Sequence, residues 1–303
     1  MLHHDPQPPK PLRADDDQLK AQLKKAIRRS PRRRVRLLIA LGISGVVVAL
    51  VAWWFWPRTP VPPLLVIAFD EVALGQRQVL LRAATEPADG SDQRWGGREL
   101  FFEEVRGLAP GASGTTKKIT SDDAGLSQVA WQVPGTATHV EMEVRYLDER
   151  QRPPWSDRDH GRVFFWPADA RLLIVDVELT LKPGKDGDAA ATALTAASEK
   201  GWRIVYLAVI ADRPLAYRKL RATPRPAPAP DGPVLGRKKY YYSAAEAEAR
   251  KEVLADLKRG ARGPVVYVSA EQGVNLWTVG DEGVLSGGLA VADWTALAAA
   301  LPP

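Results

Sequence analysis

The sequence predicts a multi-domain chain: a single transmembrane helix, then a β-sandwich, then a doubly wound α/β domain. Three observations predict it. Residues 37–57 form one uncharged apolar run, residues 64–167 hold short and often alternating apolar runs between turn residues, and from residue 170 apolar strands alternate with helical patterns.

Charge is unevenly distributed along the 303 residues. Residues 1–36 hold eleven Lys or Arg against four Asp, a net of +7 within a chain total of +6, so the remaining 267 residues carry −1. A nucleic-acid-binding domain would spread Lys and Arg over a folded face, and the part beyond the tail does not, so no nucleic-acid partner is expected. KKYYY at 238–242 reads as strand and loop packing rather than a nucleic-acid patch. There is no cysteine, which excludes disulfides, thiolate nucleophiles and thiolate zinc sites.

The run LLIALGISGVVVALVAWWFWP at 37–57 would span about 31 Å as a helix, roughly the hydrocarbon thickness of a bilayer. It ends in Trp53, Trp54, Phe55 and Trp56, which suit the interfacial belt and not a signal-peptidase site, so an uncleaved anchor is expected. Arg28, Arg29, Arg32, Arg33, Arg34 and Arg36 precede it and only Arg58 follows closely. The positive-inside rule therefore places the basic tail, 1–36, in the cytoplasm and the later domains outside the cell membrane. The bilayer, through 37–57, and anionic lipid head groups, through the tail, are the expected partners, Leu19, Leu23 and Ile27 making an apolar stripe among the basic residues. Ala40 with Ser44, and Gly45 with Ala49, have helix-pairing spacing.

Pro57, Pro60, Pro62 and Pro63 make 58–63 a stiff spacer. Within 64–167 the runs Leu64 to Phe69, Val79 to Ala83, Leu100 to Val105, Gln128 to Val133, His139 to Tyr146 and Arg162 to Trp166 read as strands of an antiparallel sandwich. Asp122 with Asp123, and Asp157 with Asp159 beside His160, are either turn residues and caps or the ligands of a calcium ion. The stretch TSDDAGLSQVAWQVPG, followed by HVEMEVRYLDE, resembles the later strands of bacterial immunoglobulin-like domains. That resemblance implies a spacer or binding module, with Trp131 and Tyr146 in its core or at its corner.

In 170–303, RLLIVDV reads as a strand buried on both sides, with Asp188 capping the helix that ends at Lys200 before Gly201. WRIVYLAVI is the next strand and RATPRPAPAPDGP a surface loop. Ser243 and Glu246 suggest a capping box for a helix burying Ala249, Val253, Leu254 and Leu257 and stopping at Gly260. Gly263 to Ser269 and Asn275 to Val279 are the third and fourth strands, and Asp293 caps a last helix with Trp294, Leu297 and Leu301 inward.

Asp176 closes the first of these strands in LLIVDVELTL, an arrangement that resembles the first motif of the haloacid dehalogenase (HAD) superfamily. GWRIVYLAVI resembles the second motif in its lipin-like, phosphatidate-phosphatase form, DGPVLGRK the basic motif and GPVVYVSAEQG the acidic metal motif. The resemblance implies a phosphatase working through an aspartyl-phosphate, with Asp176 as nucleophile, Glu178 as proton shuttle, Thr180 and a basic residue among Arg237, Lys238 and Lys239 on the phosphate, and Mg²⁺ held by Asp176, Glu178 and Glu271. The sequence departs from the pattern at Glu178, one methylene longer than Asp; at Ala208, where a hydroxyl is expected; and at Ser269 and Ala270, where Gly-Asp is expected, leaving Glu271 or the distant Asp281. A misplacement of about 1 Å at a reacting centre can cost about 100-fold. The leading expectation is therefore a membrane-anchored extracytoplasmic protein whose degenerate HAD-like domain is a non-catalytic binding or structural module, needing no cofactor and engaging an unidentified extracytoplasmic protein or ligand. The alternative is a Mg²⁺-dependent phosphatase, acting on a lipid phosphate or another phosphomonoester, with Asp176 and Glu178 as its catalytic pair.

Overall fold

The computed structural model describes residues 63–91, 96–106, 116–132, 136–148, 155–182, 184–237, 245–270 and 273–302, with residues 18, 20–22, 24–25, 39 and 42–48 before them. The chain divides into two compact units, Met1–Val61 and Pro62–Pro303. In the first, the described residues are helical and exposed, among them the apolar Ile39, Ile43, Val46, Val47 and Val48. No helix of the described residues is long and apolar enough to cross a membrane, and most of the 37–57 run, including Trp53 to Trp56, lies outside them. Leu19, Leu23 and Ile27 also lie outside.

The second unit begins with eight strands: β1 (Leu64–Ala68), β2 (Glu71–Leu74), β3 (Gln78–Pro87), β4 (Glu99–Arg106), β5 (Thr116–Thr120), β6 (Leu126–Gln132), β7 (His139–Asp148) and β8 (Trp155–Trp166). They make a three-stranded sheet, β1-β3-β6, and a five-stranded sheet, β2-β8-β7-β4-β5. Val66, Leu81 and Trp131 of the first sheet share one apolar core with Phe102, Val144 and Val163 of the second. In β6 and β7 exposed and buried positions alternate, as a pleated strand with one face on a core requires. The chain changes sheets at Phe69 and Asp70, so β2 joins β8 in parallel, a departure from the purely antiparallel arrangement expected.

β1 pairs with β3 on one side only. Its other edge is satisfied by side chains. Trp155 Nε1 donates to Leu64 O at 2.7 Å, and Asp157 Oδ2 and Asp159 Oδ2 accept from the amides of Val66 and Ala68, each at 2.9 Å. Alternate residues of β8 face the same way, which is why 155, 157 and 159 act together. Gly161 continues the series: a Cβ there would lie 2.5 Å from Phe69 O. The acidic pair is thus a cover for an open edge and not the calcium site considered as an alternative, while His160, on the other face, meets Glu143 at 3.2 Å. Asp122 Oδ1 accepts from the amides of Ala124 and Leu126, so it is a turn residue.

The remaining elements are β9 (Arg171–Asp176), α1 (Val177–Leu181), α2 (Lys185–Glu199), β10 (Trp202–Leu207), α3 (Pro214–Ala222), β11 (Val234–Leu235), α4 (Glu246–Gly260), β12 (Val265–Ser269), β13 (Val274–Val279), β14 (Leu285–Val291) and α5 (Leu297–Ala300). The sheet runs β11-β10-β9-β12-β13-β14, with the first four strands parallel and the last two joined antiparallel. Central β9 is buried from Leu172 to Asp176. Leu173 and Val175 pack with α2 and α5, and Leu172 and Ile174 with α4 on the other face.

Several local expectations need correction. The helix ending at Glu199 starts at Lys185, three residues before Asp188, from Gly184 at φ +84°; Asp188 lies in its first turn and complements the helix dipole without capping. Ser243 lies outside the described residues, and α4 starts at Glu246 after Ala245 with no side-chain cap. Six strands stand where four were expected, the short β11 and the glycine-containing β14 being the additions. Asp293 does cap, accepting from the amides of Thr295 and Ala296 ahead of α5.

Helix α3 was not expected at all. Its residues dock on the sandwich: Arg218 donates to Val66 O and Asp157, and Arg221 donates to Ala68 O and to both oxygens of Asp159, at 2.7 and 2.6 Å. Arg213, just before it, binds the fully buried Glu86, which also accepts from the Leu215 amide at 2.6 Å. Tyr217 Oη accepts from the Asp70 amide and donates to Val234 O at 2.8 Å, while Asp70, itself buried, accepts from the amides of Arg162 and Val234. The first domain and the α/β domain are joined by this polar seam.

Candidate functional site

In an open parallel sheet ligands bind beyond the carboxyl ends of the strands, where the strand order reverses. Here that point lies between β9 and β12, because the chain passes from β9 to β10 and β11 on one side and returns to β12 on the other. Asp176 ends β9 there and is 5% exposed. It pairs with Leu207 across the sheet and alternates with Ile174, so its carboxylate points to the face covered by α4.

Two residues of that face meet it. Tyr267 Oη donates to Asp176 Oδ2 at 2.5 Å, and Arg250 Nη2 lies 3.6 Å from the same oxygen. Arg250 also pairs with Glu246 one turn earlier and sits 5.6 Å above the Tyr267 ring. Tyr267 is buried within β12, where an apolar ring is stabilised by burial and a hydroxyl requires a partner. Asp176 supplies that partner.

The chain turns directly from β9 into α1. Asp176 stands at the helix N-cap with φ −64° and ψ 130°, yet its side chain makes no cap hydrogen bond. Glu178 follows in the first turn, half-buried; burial, then the charges of Asp176 and Glu246, push its carboxyl above its ordinary value, with Arg250 and Lys182 pulling the other way. Thr180 does not face the site. It is fully buried and its hydroxyl donates to Val177 O at 2.8 Å, inside its own helix. The phosphate-binding role expected of Thr180 is therefore not supported by its geometry.

Lys238, Lys239 and Glu271 lie outside the described residues. Arg237 is buried, with Nε donating to Val209 O at 2.7 Å. Ala208 is buried and donates its amide to Leu235 O, so this position offers no side-chain donor. Asp281 belongs to the turn between β13 and β14, where Gly283 packs on the α4 backbone at Lys251 and Ala255.

The donor set can be tested against Mg²⁺. A hard divalent cation takes oxygen ligands, usually anchored by carboxylates. The Asp176 oxygen facing α4 instead receives a phenolic O–H and lies 3.6 Å from a guanidinium, so it is already engaged. Among the described residues no three carboxylate or imidazole side chains are arranged to hold a metal ion. The residues described do not by themselves assemble a Mg²⁺ aspartyl-phosphate centre, and Glu271, the further ligand expected, lies outside them. Sequence reasoning found Asp176 and Glu178 but missed Tyr267 and Arg250; the signals available were a tyrosine inside an otherwise aliphatic buried strand and an arginine four residues after Glu246.

No family model matches the sequence, and no curated protein matches it. Among solved structures, a sialyltransferase from Photobacterium damsela is 12% identical, with 62% of this chain and 34% of that one covered at a TM-score of 0.15. A flavohemoglobin from Malassezia yamatoensis is 7% identical, with 68% and 45% covered, also at 0.15. The chain therefore spans less than half the length of either structure, and overlaps this low leave the fold to be argued from the chain's own elements.

Proposed function

We propose that the chain is a membrane-anchored extracytoplasmic binding module in which Asp176 holds the sheet to α4 and is not a nucleophile. The observation that carries this is the Tyr267 to Asp176 hydrogen bond of 2.5 Å under the Arg250 guanidinium. A nucleophile needs an open approach to its attacking oxygen, and this carboxylate is buried and hydrogen-bonded. Thr180, turned inward, and Ala208, lacking a hydroxyl, favour the same conclusion. The 37–57 run supplies the anchor and the basic residues before it the orientation.

One observation favours the rival phosphatase: the raised carboxyl of Glu178 beside Asp176 suits a general acid. The two functions separate in one assay. The full chain in detergent, with millimolar Mg²⁺ and a generic aryl phosphate, is expected to show no turnover above that of Asp176→Asn. Turnover abolished by that substitution overturns the binding-module proposal. A reporter fused after Pro303 is expected to be reachable from outside intact cells, and one reachable only after lysis overturns the orientation.

A further inference from the structure

A cleft of about 620 Å³ opens at the far end of the parallel sheet from Asp176, between the first domain and the α/β domain. Its volume falls in the range of about 300–1,000 Å³ typical of small-molecule sites, which favour such domain boundaries. Buried aromatic rings of Phe164, Trp166 and Trp202 line it, with Arg77, Arg203 and Asp231 among the polar groups.

The charges there are informative. Elsewhere in this unit arginines such as Arg82, Arg145, Arg213, Arg218 and Arg221 face a carboxylate. The two in the cleft have none among the described residues. Arg77 donates to Ala137 O at 2.6 Å and stacks 4.9 Å above Phe165, which orients it without neutralising it. Arg203, at the start of β10, is exposed and has no ion pair among the described residues. The acid on the rim, Asp231, is already bound to Arg162 at 2.6 Å, and Arg162 also serves the buried Asp70 at 3.3 Å. Two carboxylates against three guanidinium groups leave one positive charge over.

We infer that this cleft binds a small organic acid, with its anionic head between Arg77 and Arg203 and its apolar body on the side that Phe164 and Trp166 line. Guanidinium groups hold carboxylates and phosphates through paired N–H donors, and the aromatic wall disfavours a bare inorganic anion, which would lose hydration without gaining contact. The inference does not depend on whether Asp176 turns over a substrate.

The test is calorimetric titration of the full chain in lipid nanodiscs with 2-naphthoate and its neutral counterpart naphthalene-2-methanol, subtracting protein-free nanodiscs. Saturable one-to-one binding of the acid is expected, weakening with added salt. It should be about tenfold weaker in Arg203→Gln, and the alcohol about tenfold weaker than the acid in the native chain, as loss of a charge-assisted contact implies. Arg203 is exposed, so its substitution leaves folding intact, which a thermal melt verifies; Arg77→Gln repeats the test from the other side. Absence of saturable acid binding, equal affinity in a folded Arg203→Gln, or an alcohol that binds as tightly as the acid each overturns the assignment.

Discussion

Tyr267 Oη and Asp176 Oδ2 lie 2.5 Å apart across 91 residues of sequence, joining adjacent parallel strands at the end of the sheet where a ligand would otherwise bind. The pair gives a buried strand-end acid a hydrogen-bond donor from the neighbouring strand. Removal of the hydroxyl in Tyr267→Phe leaves a buried carboxylate oxygen with one donor fewer, and the expected loss is about 1–3 kcal/mol in urea unfolding. A loss below about 0.5 kcal/mol would show the contact to be incidental.

The seam around α3 is expected to be more costly to break. Arg221→Ala removes the guanidinium that contacts both oxygens of Asp159, at 2.7 and 2.6 Å, and leaves the buried acid with the Ala68 amide and the more distant Arg218 at 3.6 Å. Loss of one member of a buried ion pair costs about 3–5 kcal/mol where the remaining charge is uncompensated, and with Arg218 still present a loss of about 2–3 kcal/mol is expected. Hydrogen exchange should speed up at the Ala68 amide, which Asp159 accepts, and unchanged protection there would argue against the edge-covering role.

Gly161→Ala tests the same edge sterically. The added Cβ would lie 2.5 Å from Phe69 O, a backbone atom that cannot move without disturbing β1. A destabilisation of about 1–3 kcal/mol or more is expected for such overpacking, whereas Gly97→Ala, with no atom within 4 Å of its Cβ but a positive φ, should carry only backbone strain.

Glu178 predicts a pH dependence. Its carboxyl is raised above the ordinary 4.5 by burial, Asp176 and Glu246, so the folded chain holds the proton more tightly than the unfolded one. The resulting stability is fully present below the unfolded pKa and is lost as pH rises through the folded pKa. Glu178→Gln resembles the protonated form at every pH. The native chain should therefore match it most closely in acid and fall behind it as pH rises above the ordinary carboxylate range, read from urea midpoints at each pH. A gap that stays constant as pH rises would contradict the shift.

Strand β9 was legible in the sequence because a strand buried on both faces must be apolar throughout, and α4 because Ala249, Val253, Leu254 and Leu257 repeat at helical spacing. Helix α3 was not, because PLAYRKLRA is short and basic and precedes a proline-rich tract. Its arginines are satisfied by Asp157 and Asp159, about sixty residues earlier, and no local pattern encodes such a partner. The same limit applies at the site. Asp176 and Glu178 stood out by position at a strand end; Tyr267 and Arg250, which decide what Asp176 does, did not.

By itself the sequence determined the elements whose signal is periodic or compositional: the uncharged run at 37–57, the excess positive charge before it, the alternating strands and the buried central strand. Only the tertiary structure decided the surroundings of Asp176. Whether a carboxylate is an exposed nucleophile or a buried acceptor depends on the groups packed over it, and here they come from β12 and α4, brought together by the fold rather than by neighbourhood in the chain.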